Sequence, residues 1–158
     1  MEWPFLVEKI KNWLSENEIR TFPPATINEI SAAEHKLCVK FPSELSEYLH
    51  YSNGLGEFMK HPNCNEFMPI GDIIWPVSRI VAETLAYYAY VKEIDGLCLH
   101  QCIFFADNGC GERFGYKFEA EIKDTSIFIY YPTENKFIKV ASNLKEWAVG
   151  WFSGKIST

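Results

Sequence analysis

Apolar residues recur at helical spacing in five stretches of this chain, and at strand spacing in a block between the fourth and the fifth. Trp3, Leu6, Ile10, Trp13 and Leu14 predict an amphipathic helix from residue 3 to about 16, which Thr21-Phe22-Pro23-Pro24 breaks. Thr26 and Glu29 make a capping box, the hydroxyl accepting from the first turn while the carboxylate reaches back. Ile27, Ile30, Ala33 and Leu37 then follow on one face. Pro42 suits the first turn of a third helix, where its missing N–H costs nothing. Leu45, Tyr48 and Leu49 give that helix its apolar stripe, and Asn53-Gly54 tolerate the left-handed backbone of a helix end. Pro76 introduces a fourth helix in which Ile80, Thr84, Tyr88 and Val91 share a face, Tyr87 and Tyr90 point elsewhere, and Asp95-Gly96 form the end. Leu144, Trp147, Ala148 and Trp151 predict a closing helix, and Trp13 and Trp147 are expected to pack the two terminal helices into the same domain as the sheet.

From Leu97 the period changes to two. Cys102 to Ala106 is apolar throughout, Phe114, Tyr116 and Phe118 alternate with Arg113, Gly115 and Lys117, Ile127 to Tyr131 is apolar again, and Phe137 to Val140 follows a Pro-Thr-Glu-Asn turn. The connections are too short for parallel crossovers, so the sheet is expected to be mainly antiparallel. Leu55 to Trp75, rich in Gly, Pro and Asn, reads as loops with short strands at the sheet margin. The pattern describes one α+β domain over residues 1–158, its sheet covered by N-terminal and C-terminal helices.

The 158 residues suffice for one buried core, and 16% aromatic with 47% hydrophobic content excludes intrinsic disorder. No apolar run approaches the length of a membrane span, and Glu2, Pro4 and Glu8 do not suit a signal peptide, so a cytoplasmic location is expected. Five cysteines, an odd number without a compact framework, read as free thiols. A net charge of −6 repels phosphate backbones, which argues against nucleic acid and for a basic protein partner.

Gly109-Cys110-Gly111 begins like a dinucleotide fingerprint, but Phe114 stands where the third glycine belongs and the motif joins strand to strand. Asn108-Gly109 is instead explained by the positive φ of a tight hairpin, with Gly111 allowing a bulge beside it. Asp107 and Glu112 flank that turn, where hairpin pairing could bring two carboxylates together. The plainer expectation is that Asp107 bonds its own backbone and Glu112 is solvated on the rim. Cys98, His100 and Cys102 at alternate positions, with His61 and Cys64, hold the atom types zinc prefers, yet the spacing matches no usual zinc knuckle. No nucleophile elbow, phosphate loop or His-Glu-x-x-His helix occurs, so neither an enzyme nor a cofactor is expected.

The order of these motifs resembles one family. Ile-x-x-x-x-x-x-Glu-x-x-Leu from Ile27, the apolar-Pro pair at Pro42, Tyr48-Leu49 and Asn53-Gly54 are similar to the opening signature of the SUKH superfamily, which groups bacterial toxin-immunity proteins with the fungal cell-wall-assembly regulator. Phe104 to Tyr116 resembles its central hairpin and Ser142 to Trp147 its closing helix, so the likeness covers about residues 26 to 151. The resemblance implies a single α+β domain without catalytic residues that binds and neutralises a cognate toxin, commonly a nuclease. Two alternatives remain, a regulatory adaptor of the fungal kind and a small metal-dependent enzyme. The Cys/His pairs at 61–64 and 98–102 are not demanded by the family pattern. The partner-binding candidates are Glu57, Asp107 and Glu112, at element ends where function gathers, and the aromatic Trp75.

Overall fold

The computed structural model describes residues 2–94, 101–118, 121 and 124–157. In chain order the elements are α1 (Trp3–Trp13), β1 (Glu18–Thr21), α2 (Ile27–Leu37), α3 (Ser43–Tyr51), β2 (Leu55–Lys60), β3 (Phe67–Ile74), α4 (Val77–Glu93), β4 (Gln101–Asp107), β5 (Arg113–Phe118), β6 (Ile127–Tyr131), β7 (Lys136–Ala141) and α5 (Leu144–Phe152). The architecture is α+β, with two antiparallel sheets ordered β1-β2-β3 and β4-β5-β6-β7. None of the helices among the described residues is long and apolar enough to cross a membrane.

Local chemistry explains the helix ends. Thr26 Oγ1 accepts from Glu29 N–H at 3.1 Å and Glu29 Oε2 accepts from Thr26 N–H at 2.7 Å, the expected capping box; the bonds that the Thr26 N–H and hydroxyl donate to the Glu29 carboxyl hold it below its usual range. The buried stripe of α2 is Ile30, Ala33 and Leu37, whereas Ile27, as the first helical residue, is exposed and does not join it. Pro42 precedes the first turn of α3 as its N-cap. Asn53-Gly54 serve the next connection, because α3 already ends at Ser52 in extended backbone. Asn53 Oδ1 accepts from Val77 N–H at 2.9 Å and so caps α4. Gly54, at φ +102°, leaves room for Pro76, whose nitrogen a Cβ would approach to 3.1 Å.

Leu55 to Trp75 is not loop with marginal strands. It holds β2 and the eight-residue β3, and with β1 these form a sheet of their own. β1 escapes a periodicity reading because four residues, two of them charged, carry too little pattern, and their pairing partner lies far along the chain.

The four-stranded sheet lies against the helices. Trp147 is fully buried on α5, meeting Phe105 edge-on at 4.9 Å and Phe114 at 5.3 Å. Trp13 does not share that core. It is 38% exposed at the end of α1, and Trp3 supplies the buried indole instead, 4.9 Å from Tyr48. Glu44 of α3 accepts from Leu144 N–H at 2.9 Å, satisfying a donor at the start of α5.

α4 covers the edge of β4. Thr84 Oγ1 accepts from Phe104 N–H at 3.2 Å, while the Tyr88 hydroxyl donates to Cys102 O at 2.6 Å and accepts from Cys102 N–H at 3.3 Å. Hydroxyls one helical turn apart thus replace a neighbouring strand. Burial beside Cys102 pushes the Tyr88 phenol up to about 12. Tyr87 does not point away. It is buried between Phe104 and Tyr130, at 5.2 and 5.1 Å, whereas Tyr90 is exposed as expected. The predicted end of α4 at Asp95-Gly96 lies outside the described residues.

Candidate partner-binding site

Where the two sheets meet, a groove of about 480 Å³ opens to solvent. Its polar lining is Glu57 from β2, Asp72 from β3, Arg79 from α4, and Asp107, Asn108 and Gly109 from the end of β4. Leu14, Ile70, Trp151 and Phe152 supply apolar wall. The segment around Asn53 to Glu57 and the hairpin Asp107 to Glu112 are remote in sequence, and the fold brings Glu57 and Asp107 into this one groove.

Asp107 is the hub of the site. One carboxylate oxygen accepts from Gly109 N–H at 2.8 Å, the expected turn bond to its own backbone. The other accepts from Arg79 Nη2 at 2.8 Å and from Trp75 Nε1 at 3.2 Å. Arg79 also donates from Nη1 to Asp72 Oδ2 at 3.0 Å, and its guanidinium lies 4.5 Å from the Trp75 ring centre. Trp75 N–H donates to Phe105 O at 2.8 Å, so this residue fastens the two sheets through backbone and side chain alike. Its indole is 1% exposed: Trp75 holds Asp107 from beneath and presents no ring to a partner. Glu57 accepts from Asn17 Nδ2 at 2.7 Å.

The charge balance follows from this geometry. Arg79 is spent on two carboxylates, and with Glu57 the lining carries three acids against one base. The groove is therefore negative, with its carboxylates held in place before any partner arrives.

Glu112 is placed differently. In register Asp107 opposes Arg113, not Glu112, and the turn closes by Asn108 N–H donating to Glu112 O at 3.2 Å. That bond holds Glu112 at the base of the turn, where one of its carboxylate oxygens is shut off from solvent, so it is not the freely solvated rim acid expected. Gly109 and Gly111 both have positive φ, 77° and 109°, as the turn reading requires. The bulge itself falls across Phe104 to Ala106 of β4 instead of beside Gly111.

Of the cysteine and histidine candidates, Cys102 is buried on β4, where burial pushes its thiol up, and Cys64 is exposed in the β2–β3 connection. His61 Nδ1 accepts from Asn63 N–H at 3.1 Å. Cys98 and His100 lie outside the described residues, among which no group of three or more His, Cys, Asp or Glu is disposed to hold a metal.

Pattern reading missed Asp72 and Arg79, which line the groove, and Asn17, which holds Glu57 from outside it. Their contacts span 7, 28 and 40 positions, separations that no local period reports. No curated protein gives a significant match to the chain. The family model described as SMI1 / KNR4 family (SUKH-1) matches residues 24–149, a span that takes in α2 through most of α5 and every charged residue lining the groove. Membership of this family fits an immunity or regulatory protein, and with most of its length matched the chain belongs to the SMI1 / KNR4 (SUKH-1) family.

Proposed function

We propose that this protein is an immunity protein that neutralises a cognate bacterial toxin in the cytoplasm by covering it, without catalysis, and that the toxin is a basic protein, a nuclease being the class that fits best. The observation carrying this reading is the groove in which Glu57, Asp72 and Asp107 outnumber Arg79. A nuclease active surface is built to receive phosphates, and fixed carboxylates on a complementary surface mimic them while speeding encounter. Family membership supports a binding role, and the net charge of −6 supports a basic partner.

The test is to look for a toxin encoded beside this gene and to co-express the two. Wild type is expected to protect cells and to co-purify with the toxin. Glu57→Lys is expected to slow association and flatten its salt dependence, with the fold intact. Failure of wild type to bind or protect against any neighbouring toxin would return the protein to the regulatory alternative.

A further inference from the structure

We infer that the outer end of the β2–β3 hairpin, running into the acidic groove, is a docking platform for a partner segment that presents apolar side chains flanked by lysine or arginine; this deepens the function proposed above and rests on it. Met59, Phe67, Met68 and Ile70 are 41, 40, 40 and 50% exposed, an unusual concentration of large apolar side chains on one hairpin. Register sorts them. Met59 and Met68 sit directly opposite each other, and Glu57, two residues from Met59, shares their face of β2. On the other face Arg20 covers Phe58 and Phe67, its guanidinium 4.4 and 5.5 Å from their ring centres. The uncovered face is thus Met59, Met68 and the adjoining Ile70, and Ile70 itself lines the groove.

Two features select the occupant. β3 is an edge strand, but Pro69 lacks an N–H and the register slips at Ile70, so neither a second copy nor a partner strand can extend the ladder there. Docking must therefore use side chains. The apolar face is continuous with a groove carrying three carboxylates and one already paired guanidinium, so the complementary segment is basic as well as apolar. Methionines suit such a face because their unbranched, polarizable side chains adapt to differing shapes.

The chain has three methionines, which makes ¹³C-methyl methionine spectra a direct readout, with signals assigned through Met59→Leu and Met68→Leu. A short amphipathic leucine–lysine peptide is expected to shift the Met59 and Met68 methyls saturably. A leucine–glutamate peptide of equal length should not shift them, oligolysine should do so only weakly, and Ile70→Asp should weaken binding by about tenfold or more. Equal response to the acidic peptide, or none to the basic one, would overturn the inference. In the protection assay, a folded Met68→Asp/Ile70→Asp protein that protects as well as wild type overturns the platform but leaves the immunity reading intact. Methyl shifts as expected, with wild type protecting against no neighbouring toxin, would instead uphold the platform and sink the immunity reading.

Discussion

β3 and β4 are neighbours, joined where Trp75 N–H meets Phe105 O, yet they treat similar side chains in opposite ways. Cys102 to Ala106 of β4 are fully buried, while Phe67 to Gly71 of β3 are all exposed. Composition does not account for this, since both runs are largely apolar. Coverage does. β4 has α4 along its edge, with Thr84 and Tyr88 satisfying its backbone, and the aromatic rings of Tyr87 and Trp147 against its side chains. β3 begins as an uncovered hairpin and enters that shelter only from Asp72 onward. The four-stranded sheet is where apolar burial stabilises the molecule, at roughly 25 cal/mol per Å² removed from water. The outer hairpin contributes little of that, so its side chains are free to serve recognition.

The sharpest way to break the comparison is thiol labelling. Cys102 on β4 is buried and its thiol is pushed up, so it carries little reactive thiolate at pH 8, whereas Cys64 beside β3 is exposed. Alkylation followed by peptide mass spectrometry should find Cys102 slower than Cys64 by a factor on the order of 10³ or more, since it must wait for global opening. Comparable rates would mean that β4 opens locally, and the two strands would not differ in stability.

Next in size are core substitutions. Trp147→Ala removes the ring wedged against Phe105 and Phe114 and should cost about 3–5 kcal/mol in a denaturant titration, enough to unfold a marginal domain. Gly115→Ala should also be severe, at least about 1–3 kcal/mol, because a Cβ there would run into the Ile103 carbonyl of the paired strand. A mild effect from both would place the stabilising core elsewhere.

Much of the covered region was legible before the structure. The capping box at Thr26, the buried faces of α3 and α5, the continuous apolar runs of β4 and β6 and the alternating run of β5 all follow from local patterns. The uncovered region was not. Its strands expose apolar residues on both sides of the pleat, which erases the alternation that marks a half-buried strand. Trp13 and Tyr87 failed for a related reason: each has a helical phase that fits two faces, and tertiary packing chose between them. At the site, Glu57 and Asp107 were found as loop-end acids, but Asp72 and Arg79 became visible only through contacts distant in sequence.

The joint between the regions should give an intermediate effect. Asp107→Asn keeps the turn bond to Gly109 but removes the charge facing Arg79 and weakens the acceptor for Trp75 Nε1. Arg79 and Asp107 are each about a third exposed or less, so solvent screens the pair, and a loss of about 1–2 kcal/mol is expected. The loss should shrink in high salt. A loss that is insensitive to salt would shift the weight from the ion pair to the indole hydrogen bond.

The smallest effect is expected at the hairpin end. Met68→Ser deletes an apolar side chain that is already 40% exposed and lies across the ladder from an equally exposed Met59. A cross-strand pair at such a site is worth about 0.2–1 kcal/mol, and exposed substitutions usually change stability by less than about 0.5 kcal/mol. The denaturation midpoint of Met68→Ser should therefore lie close to that of wild type, with an unchanged slope. This near-zero result matters because it separates display from packing: a side chain whose removal costs the fold nothing was not placed there to build the fold. A loss above about 1.5 kcal/mol would be on the scale of a core truncation. The outer hairpin would then belong with β4, and the case for a docking platform on its methionine face would lose its physical ground.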